Sequence, residues 1–597
     1  MLYQKNQAPP PLPMPTTSFR PPFNASAALA VIAGTVCYAN SLGNGFVFDD
    51  SAYIVHPVIR QFLLVDAFLQ PWLQLDLYRP LTLISLALDY FLYQTDPLGF
   101  HLTNVLLHGA NCLVFYLIAR RLLSAPGAAL LAALFYAVHP LQSDVVNWVS
   151  ARGDLLMALT LGLAFWCHLQ SRPPDSSPLW RWGAWFLYGA SLLAKETGIV
   201  LSGLVLCHDL LLERPHHLAK ESLSRFALNW FKRYWGYLAV LLILLSLRAY
   251  VVGSASGGPA SANLLAPLDP AQRFFTMGAI FLRYLYLIVV PLDLCADYSP
   301  ASIASVTSPF DPGFLAGLAC AVLLLYLPWR GGPLVRFLAV FFWLALLPTT
   351  NLFFLAPSAM AERYLYLAIQ PLSLAFGLAV QTWGHQPRLP QLQTIGKGLV
   401  ILLLLAYGAR TNARNTDWHS DYTLFSAVLE HYPRNARAHE NLAHALYRDG
   451  SPKEALAHYK SAIAINPTTV RLHFNLGLFY SAQQRPAEAA QAFQTALALN
   501  PEHTKSHYNL GLLYQKSGHP DKALPHYRQA LQQDPHHIRA AYNLARASER
   551  TGRPKEALAL YQQVIAADST APQALQALHH IRRLNSEGGQ SETQAPY

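Results

Sequence analysis

The sequence predicts an all-α protein in two parts: a polytopic helical membrane domain, then a solenoid of helical hairpins. Three observations carry this. Hydrophobic residues make up 53% of the 597 and charged residues only 13%, where a soluble chain of this length is about one quarter charged. The charge is also unevenly placed, with apolar runs before about Asn412 and polar sequence after it. Finally, the polar part repeats itself every 34 residues.

A chain this long exceeds one ordinary core. Its net charge of +10 does not point to nucleic acid, because much of the excess sits in short loops between apolar runs, as the positive-inside rule requires. The six cysteines fall mostly within those runs, and their spacing forms neither a metal site nor a disulfide framework. Prolines from Pro9 to Pro22 mark residues 1–25 as a disordered lead-in. The apolar run that follows has no small-residue cleavage site and reads as a retained first span.

Runs long enough to cross about 30 Å of hydrocarbon lie near 26–42, 99–120, 127–141, 154–170, 180–194, 198–213, 234–252, 272–292, 313–329, 336–352, 363–382 and 396–410. Between Pro57 and Tyr93 the apolar faces are broken by Arg60, Asp66, Asp76, Arg79 and Asp89, which suits amphipathic helices on the membrane surface. Lys5, Arg20, Arg120, Arg121, Arg172, Arg181 and the basic cluster from Arg214 to Arg233 alternate correctly for a cytoplasmic N-terminus. Arg330, Arg336, Arg388 and Lys397 then demand that 272–292 not cross completely. Arg283 near its middle is costly in lipid. The expectation is about 11 spans within 26–411, with the second domain emerging outside.

In the second domain, 412–584, Pro433, Pro467, Pro501 and Pro535 mark the breaks between units. Asn441, Asn475, Asn509 and Asn543 keep the same step, as do Ala455, Ala489, Ala523 and Ala557, and the aromatics Tyr459, Phe493, Tyr527 and Tyr561. This is the pattern of tetratricopeptide repeats, helical hairpins with small residues at close approaches. Four units span 433–568, a capping helix reaches about Leu584, and 585–597 reads as a disordered tail. Such arrays bind proteins, and the Asn column is a candidate for holding an extended peptide backbone.

The outward loops carry more polar residues than solubility requires: Asp49-Asp50; His139 with Asp144, Arg152 and Asp154; Lys195-Glu196; and Glu362-Arg363. Singly, each has a plainer reading. The aspartates suit a solvated loop, His139 a capped helix end, and Lys195 with Glu196, or Arg152 with Asp154, an internal ion pair. Together they suit an anionic substrate, since Arg grips phosphate with a bidentate fork.

Phe46 to Asp50, Tyr78 to Thr82, Phe100 to His108, the His139…Asp154 block, Ala194-Lys195-Glu196 and Ala361 to Tyr366 resemble the transmembrane and tetratricopeptide-repeat-containing (TMTC-like) O-mannosyltransferases. The resemblance covers nearly the whole chain. It departs at Asp144, where the family usually has Glu, and in a short repeat array. It implies a GT-C glycosyltransferase using a polyprenyl- or dolichyl-phosphate sugar donor, a protein acceptor held by the repeats, and the lumenal or periplasmic side of an endoplasmic reticulum or bacterial inner membrane. It further implies that Asp50, with Asp49 as the alternative, is the general base. Arg152, Lys195 and Arg363 are then the phosphate cations, and Asp144, Asp154, Glu196 and His139 complete the site. No cofactor is required, although the acidic pair could hold a divalent cation. A non-enzymatic membrane scaffold and a transporter are the competing readings. Transport is disfavoured because the polar residues gather near one face and the spans show no internal duplication.

Overall fold

The computed structural model describes residues 24–71, 77–173, 175–213, 223–253, 263, 265–298, 303–352, 355–384 and 390–592. The lead-in through Phe23, with Lys5 and Arg20, lies outside them, as do Asp76, Arg214, Lys220 and Arg388. The chain forms two compact units, Met1–His431 and Tyr432–Tyr597.

In the first unit, proline and side-chain caps set where helices begin. Asn24 caps Ala25–Val36 by accepting from the Ala27 N–H at 3.0 Å. Prolines open Pro80–Tyr93, Pro97–Leu122, Pro126–Val138, Pro178–Ala194, Pro270–Val289, Pro312–Arg330 and Pro333–Leu346. There the missing N–H costs nothing and the fixed φ suits the first turn. The Pro97–Leu122 helix sits centrally, against Ala25–Val36, Pro126–Val138 and Arg152–Gln170. Glycine allows one of these approaches. A Cβ on Gly34 would lie 2.7 Å from Cys112 Sγ, and one on Gly109 2.8 Å from Thr35 Cγ2, the small-residue contact by which membrane helices pack.

Other helices stay at the periphery with apolar side chains outward, including Val322, Leu323, Leu399, Leu402 and Leu405. A water-soluble surface would not tolerate so large an apolar area. Six helices among the described residues are long and apolar enough to cross a membrane, or seven if Pro126–Val138 and Pro140–Asn147, bent by 50°, count as one. The chain is thus a multi-pass membrane protein. The sequence-based figure of about 11 spans is not reached by this measure. Polar residues such as Lys195-Glu196 cut the runs into pieces as short as Val200–Leu211, of 12 residues. Pro270–Val289 is not among the six. Its Arg283 reaches past the helix end toward Asp293, at 3.7 Å, with Cζ 4.8 Å from the Tyr286 ring.

The boundary between units falls at 431 rather than at 411, where the composition changes. Trp418, Leu424, Phe425 and Val428 are buried, so Thr416–Trp418 and Asp421–His431 pack into the first unit.

In the second unit, paired helices recur as expected: Ala436–Arg448 with Pro452–Ile465, Val470–Ala482 with Pro486–Leu499, Thr504–Lys516 with Pro520–Gln533, and Ile538–Arg550 with Pro554–Ala567. Gly477 and Gly511 leave room for the rings of Phe493 and Tyr527, which a Cβ would meet at 2.6 and 2.9 Å. A further column was not read from the sequence. The Nε2 atoms of His439, His473 and His507 lie 3.0, 2.8 and 2.9 Å from the carbonyls of Pro433, Pro467 and Pro501, tying each first helix to its preceding break. The last helix, Pro572–Glu592, continues into the segment read as a disordered tail; residues 593–597 lie outside the described part.

Candidate active site

The first loop holds its two aspartates differently. The chain leaves the turn Ala39–Gly43 and reaches Phe48 with φ 59°, a left-handed conformation costing a non-glycine residue about 1 kcal/mol. Surrounding contacts hold it there. The Phe48 N–H donates to Asp421 Oδ1 at 2.7 Å, and its ring lies against Trp148 and Phe425. Asn40 and Asn44 donate to the carbonyls of Asn412 and Asn415, and the Gly45 N–H donates to His419 O. The end of the helix Pro390–Asn415 and the turn after it are therefore stitched along the loop, which fixes the backbone that presents Asp49.

Asp50 is fully buried. Its Oδ1 accepts from the Ser150 N–H at 2.8 Å and the Ser150 hydroxyl at 2.6 Å, and its Oδ2 from the Val47 N–H at 3.2 Å. Burial, then the adjacent Asp49 charge, push its carboxyl up to about 7 against the Ser150 hydrogen bonds. Asp49 is partly exposed. Its Oδ1 accepts from the Trp148 indole N–H at 3.0 Å. Burial raises it too, opposed by hydrogen bonds from Ser150 and Trp148 and by the charge of Arg363.

Trp148 joins the anionic and cationic halves of the site. Its edge holds Asp49, and Arg363 Cζ lies 5.0 Å from its ring centre, within cation–π range. The same indole helps to line a small cavity with Phe48, Asp297, Trp418 and Phe425. Asp144 supports Arg363 from beneath. Its Oδ2 accepts the Arg363 backbone N–H at 2.9 Å and lies 4.0 Å from Nη1. Asp144 Oδ1 has no hydrogen-bond partner among the described residues. Beside it, the fully buried Glu362 accepts from the Cys295 N–H and the Tyr298 hydroxyl and faces Arg414 at 4.0 Å. Burial raises the Glu362 carboxyl despite Arg414.

The remaining predicted residues are gathered in the same unit, in partnerships the sequence did not reveal. Arg152 does not pair with Asp154, nor Lys195 with Glu196. Arg152 is fully buried and binds Asp89 at 2.6 Å, Asn104 Oδ1 at 2.8 Å and the Phe100 carbonyl at 2.9 Å. Lys195 Nζ sits 2.6 Å from both Asp154 oxygens. Glu196 takes a bidentate grip from Arg79 at 3.0 and 2.6 Å. Burial favours its neutral form, but Arg79 overrides this and brings its carboxyl down to about 2. His139 behaves as the plainer reading expects. Its Nδ1 caps the turn Pro140–Gln142 through the Leu141 N–H, and its Nε2 lies 3.0 Å from Ile288 O.

Removing one member of a buried ion pair strands the other. Arg152→Met is therefore expected to cost about 3–5 kcal/mol, read as thermal unfolding in detergent. Adding Asp89→Leu is expected to recover most of the loss.

In the repeats, three of the four predicted asparagine amides serve the array itself. Asn475 donates to Glu440 Oε1 at 2.6 Å, Asn509 to Lys505 O at 2.8 Å, and Asn543 to the Tyr508 hydroxyl at 3.3 Å.

Sequence comparison places this geometry in a family context. A family model described as Protein O-mannosyl-transferase TMTC, DUF1736 matches residues 266–325, and tetratricopeptide-repeat models match 436–460, 451–484, 468–535 and 508–572. Protein O-mannosyl-transferase Tmtc3 of Drosophila melanogaster is 29% identical over 515 residues, covering 73% of this chain and 54% of that protein. The chain is similar to the TMTC protein O-mannosyl-transferases. TMTC3 of Mus musculus is 27% identical over 471 residues, covering 74% of this chain and 51% of its own. The chain thus spans about half the length of these TMTC relatives. Among solved structures, MamA is 26% identical and covers 25% of this chain and 86% of its own, with a TM-score of 0.24. The segment matched by the TMTC model touches the site, since the Tyr284 hydroxyl accepts from the Ala361 N–H at 3.1 Å, two residues before Arg363.

Proposed function

We propose that this chain is a membrane glycosyltransferase. It moves a mannosyl or similar residue from a polyprenyl- or dolichyl-phosphate carrier to a Ser or Thr hydroxyl of a protein, with inversion. One observation carries the reading. Trp148 brings a partly exposed carboxylate and a guanidinium without a side-chain hydrogen bond among the described residues onto one ring. Transfer from a lipid phosphate needs a base for the acceptor proton and a cation for the departing phosphate, and the two must sit close together.

Asp49 is the better base. Asp50 has both oxygens committed and no exposed surface, so it acts by positioning the loop. In the step itself, the acceptor O–H gives its proton to Asp49 as its oxygen bonds to the anomeric carbon. The bond from that carbon to the phosphate oxygen breaks, and the lipid phosphate leaves with one more negative charge. Arg363 stabilises that charge, as preorganised donors do in a dry site. Arg152 and Lys195, committed to Asp89 and Asp154, hold the frame. The outward apolar helices suit a donor whose tail stays in lipid.

The scheme uses no cofactor, and a divalent cation at Asp49-Asp50 would slow transfer when chelated. Purified chain in lipid nanodiscs, given a lipid-phosphate mannose donor and an acceptor protein, is expected to yield O-linked product equally with and without EDTA. The repeats are assigned to the protein acceptor and, on the sequence-based expectation of an odd number of spans, to the lumenal or periplasmic side. In sealed vesicles they are then expected to resist external protease until detergent is added. Cleavage in intact vesicles would place them on the cytoplasmic side.

A further inference from the structure

A second cluster of chemistry-bearing side chains lies at the other end of the same helix bundle. Ser150, which holds Asp50, lies in the turn Val149–Ala151 that leads into the Arg152–Gln170 helix. His168 comes 16 residues after Arg152, about 24 Å further along the axis. There it meets His208 and Asp209 from the end of Val200–Leu211, and Tyr234 and Tyr237 from Leu223–Val252. All three of His168, His208 and Asp209 are buried, and their ligand atoms lie within 4.8 Å of one another.

We propose that His168, His208 and Asp209 form a binding site for a divalent transition metal, with zinc the best fit. Asp209 Oδ1 lies 3.1 Å from His168 Nε2 and 3.1 Å from His208 Nδ1. Ligand atoms bound about 2.0–2.1 Å from one tetrahedral zinc ion stand about 3.3 Å apart, and two imidazoles with one carboxylate are a known zinc ligand set. The supporting shell is also present. His168 Nδ1 is 3.0 Å from the Tyr237 hydroxyl, which can receive the ring proton and leave Nε2 free for metal, the usual arrangement of a ligating histidine. Asp209 Oδ2 accepts from the Tyr234 hydroxyl at 2.7 Å and lies 3.4 and 3.5 Å from Arg233 and Arg172. This turns Oδ1 toward the imidazoles.

Two arginines oppose a cation, but neither is unscreened. Arg172 is bound by Glu213, and the Arg233 side chain is 44% exposed. Without metal, each imidazole donates to Asp209 from the atom that would ligate. With metal, each stays neutral and moves its proton to the other ring nitrogen. Three protein ligands leave a fourth position for water. The ligands join the ends of two helices, Arg152–Gln170 and Val200–Leu211, beside the middle of Leu223–Val252, and the site is independent of the transfer reaction.

The full chain in detergent, stripped with chelator, is titrated with Co²⁺ and its visible d–d absorption followed. One equivalent per chain is expected to give the band of a low-coordinate nitrogen and oxygen site, and zinc to displace it. His168→Ala and His208→Ala are each expected to weaken binding more than 100-fold. Tyr237→Phe, which keeps the ligands, is expected to weaken it by about 10-fold. Asp49→Asn is expected to bind metal like the parent. No band in the folded parent at about 1 mM Co²⁺, a millimolar affinity being too weak for a built site, overturns the proposal. So does an unchanged band in the His168→Ala/His208→Ala double variant.

Discussion

Replacing Asp49 with Asn lowers sugar transfer per folded chain by roughly 10²–10⁴-fold, the usual weight of a placed general base. Asn Oδ1 still accepts the Trp148 N–H, so the loop keeps its shape and thermal unfolding changes little. Asp50→Asn behaves differently. Its new amide places a donor beside the N–H groups of Val47 and Ser150, stranding buried donors at about 1–3 kcal/mol. Its main effect is lower stability and yield. Protonation has a defined sign at this pair. Asp49 must be ionised to act, and burial raises its carboxyl from its ordinary value, against Ser150, Trp148 and Arg363. Transfer therefore falls as acid protonates Asp49, earlier on the way down than for an unburied aspartate, and Asp49→Asn lacks this limb. Asp50 keeps its proton when folded up to about 7, where the unfolded chain has lost it near 3.8. Its contribution to stability is therefore full below about pH 4 and is lost as pH rises toward 7.

Arg363→Ala is the second large effect, a fall of about 10²–10³-fold in turnover, the scale measured for losing one preorganised donor at a developing anion. The Asp144 hydrogen bond to the Arg363 backbone N–H survives the change, although its 4.0 Å contact with the guanidinium is lost, so turnover is compared per folded chain. Arg363→Lys restores only part of the activity, since a point charge cannot lie flat on the Trp148 ring or form the two-pronged contact with phosphate. Equal activity in Arg363→Ala and the parent would move the phosphate to another cation. Arg79 would be the next to test, since its side chain keeps 15% exposure beside Glu196.

Much of this was legible in the sequence, for identifiable reasons. The repeats were, because a 34-residue period constrains many positions at once, and the aromatics at 459, 493, 527 and 561 are all buried. Helix starts are marked by prolines. The site residues gather in one compact unit, several of them at helix starts such as Arg152 and Asp154, but their partners do not follow from adjacency. Arg152 and Asp154 are neighbours in sequence, yet the first turns toward Asp89 and the second toward Lys195. A lone acid in an apolar helix, as Asp89 is, was the available signal for a buried cation opposite. The choice between Asp49 and Asp50 depends on which oxygens Ser150 and Trp148 occupy, a tertiary fact. The clamp from Asp421 to Phe48 was hidden because composition assigns Asp421 to the repeat domain, whereas buried Trp418 and Phe425 draw it into the membrane unit.

The decisive measurement is single-turnover transfer of mannose from a lipid-phosphate donor to acceptor protein, in nanodiscs, for the parent, Asp49→Asn and Asp50→Asn at matched folded concentration. Transfer by the parent, its loss in Asp49→Asn and its substantial retention per folded chain in Asp50→Asn are the predicted result. Undiminished transfer in Asp49→Asn would contradict the assignment of the base, and no transfer by the folded parent would favour the scaffold reading.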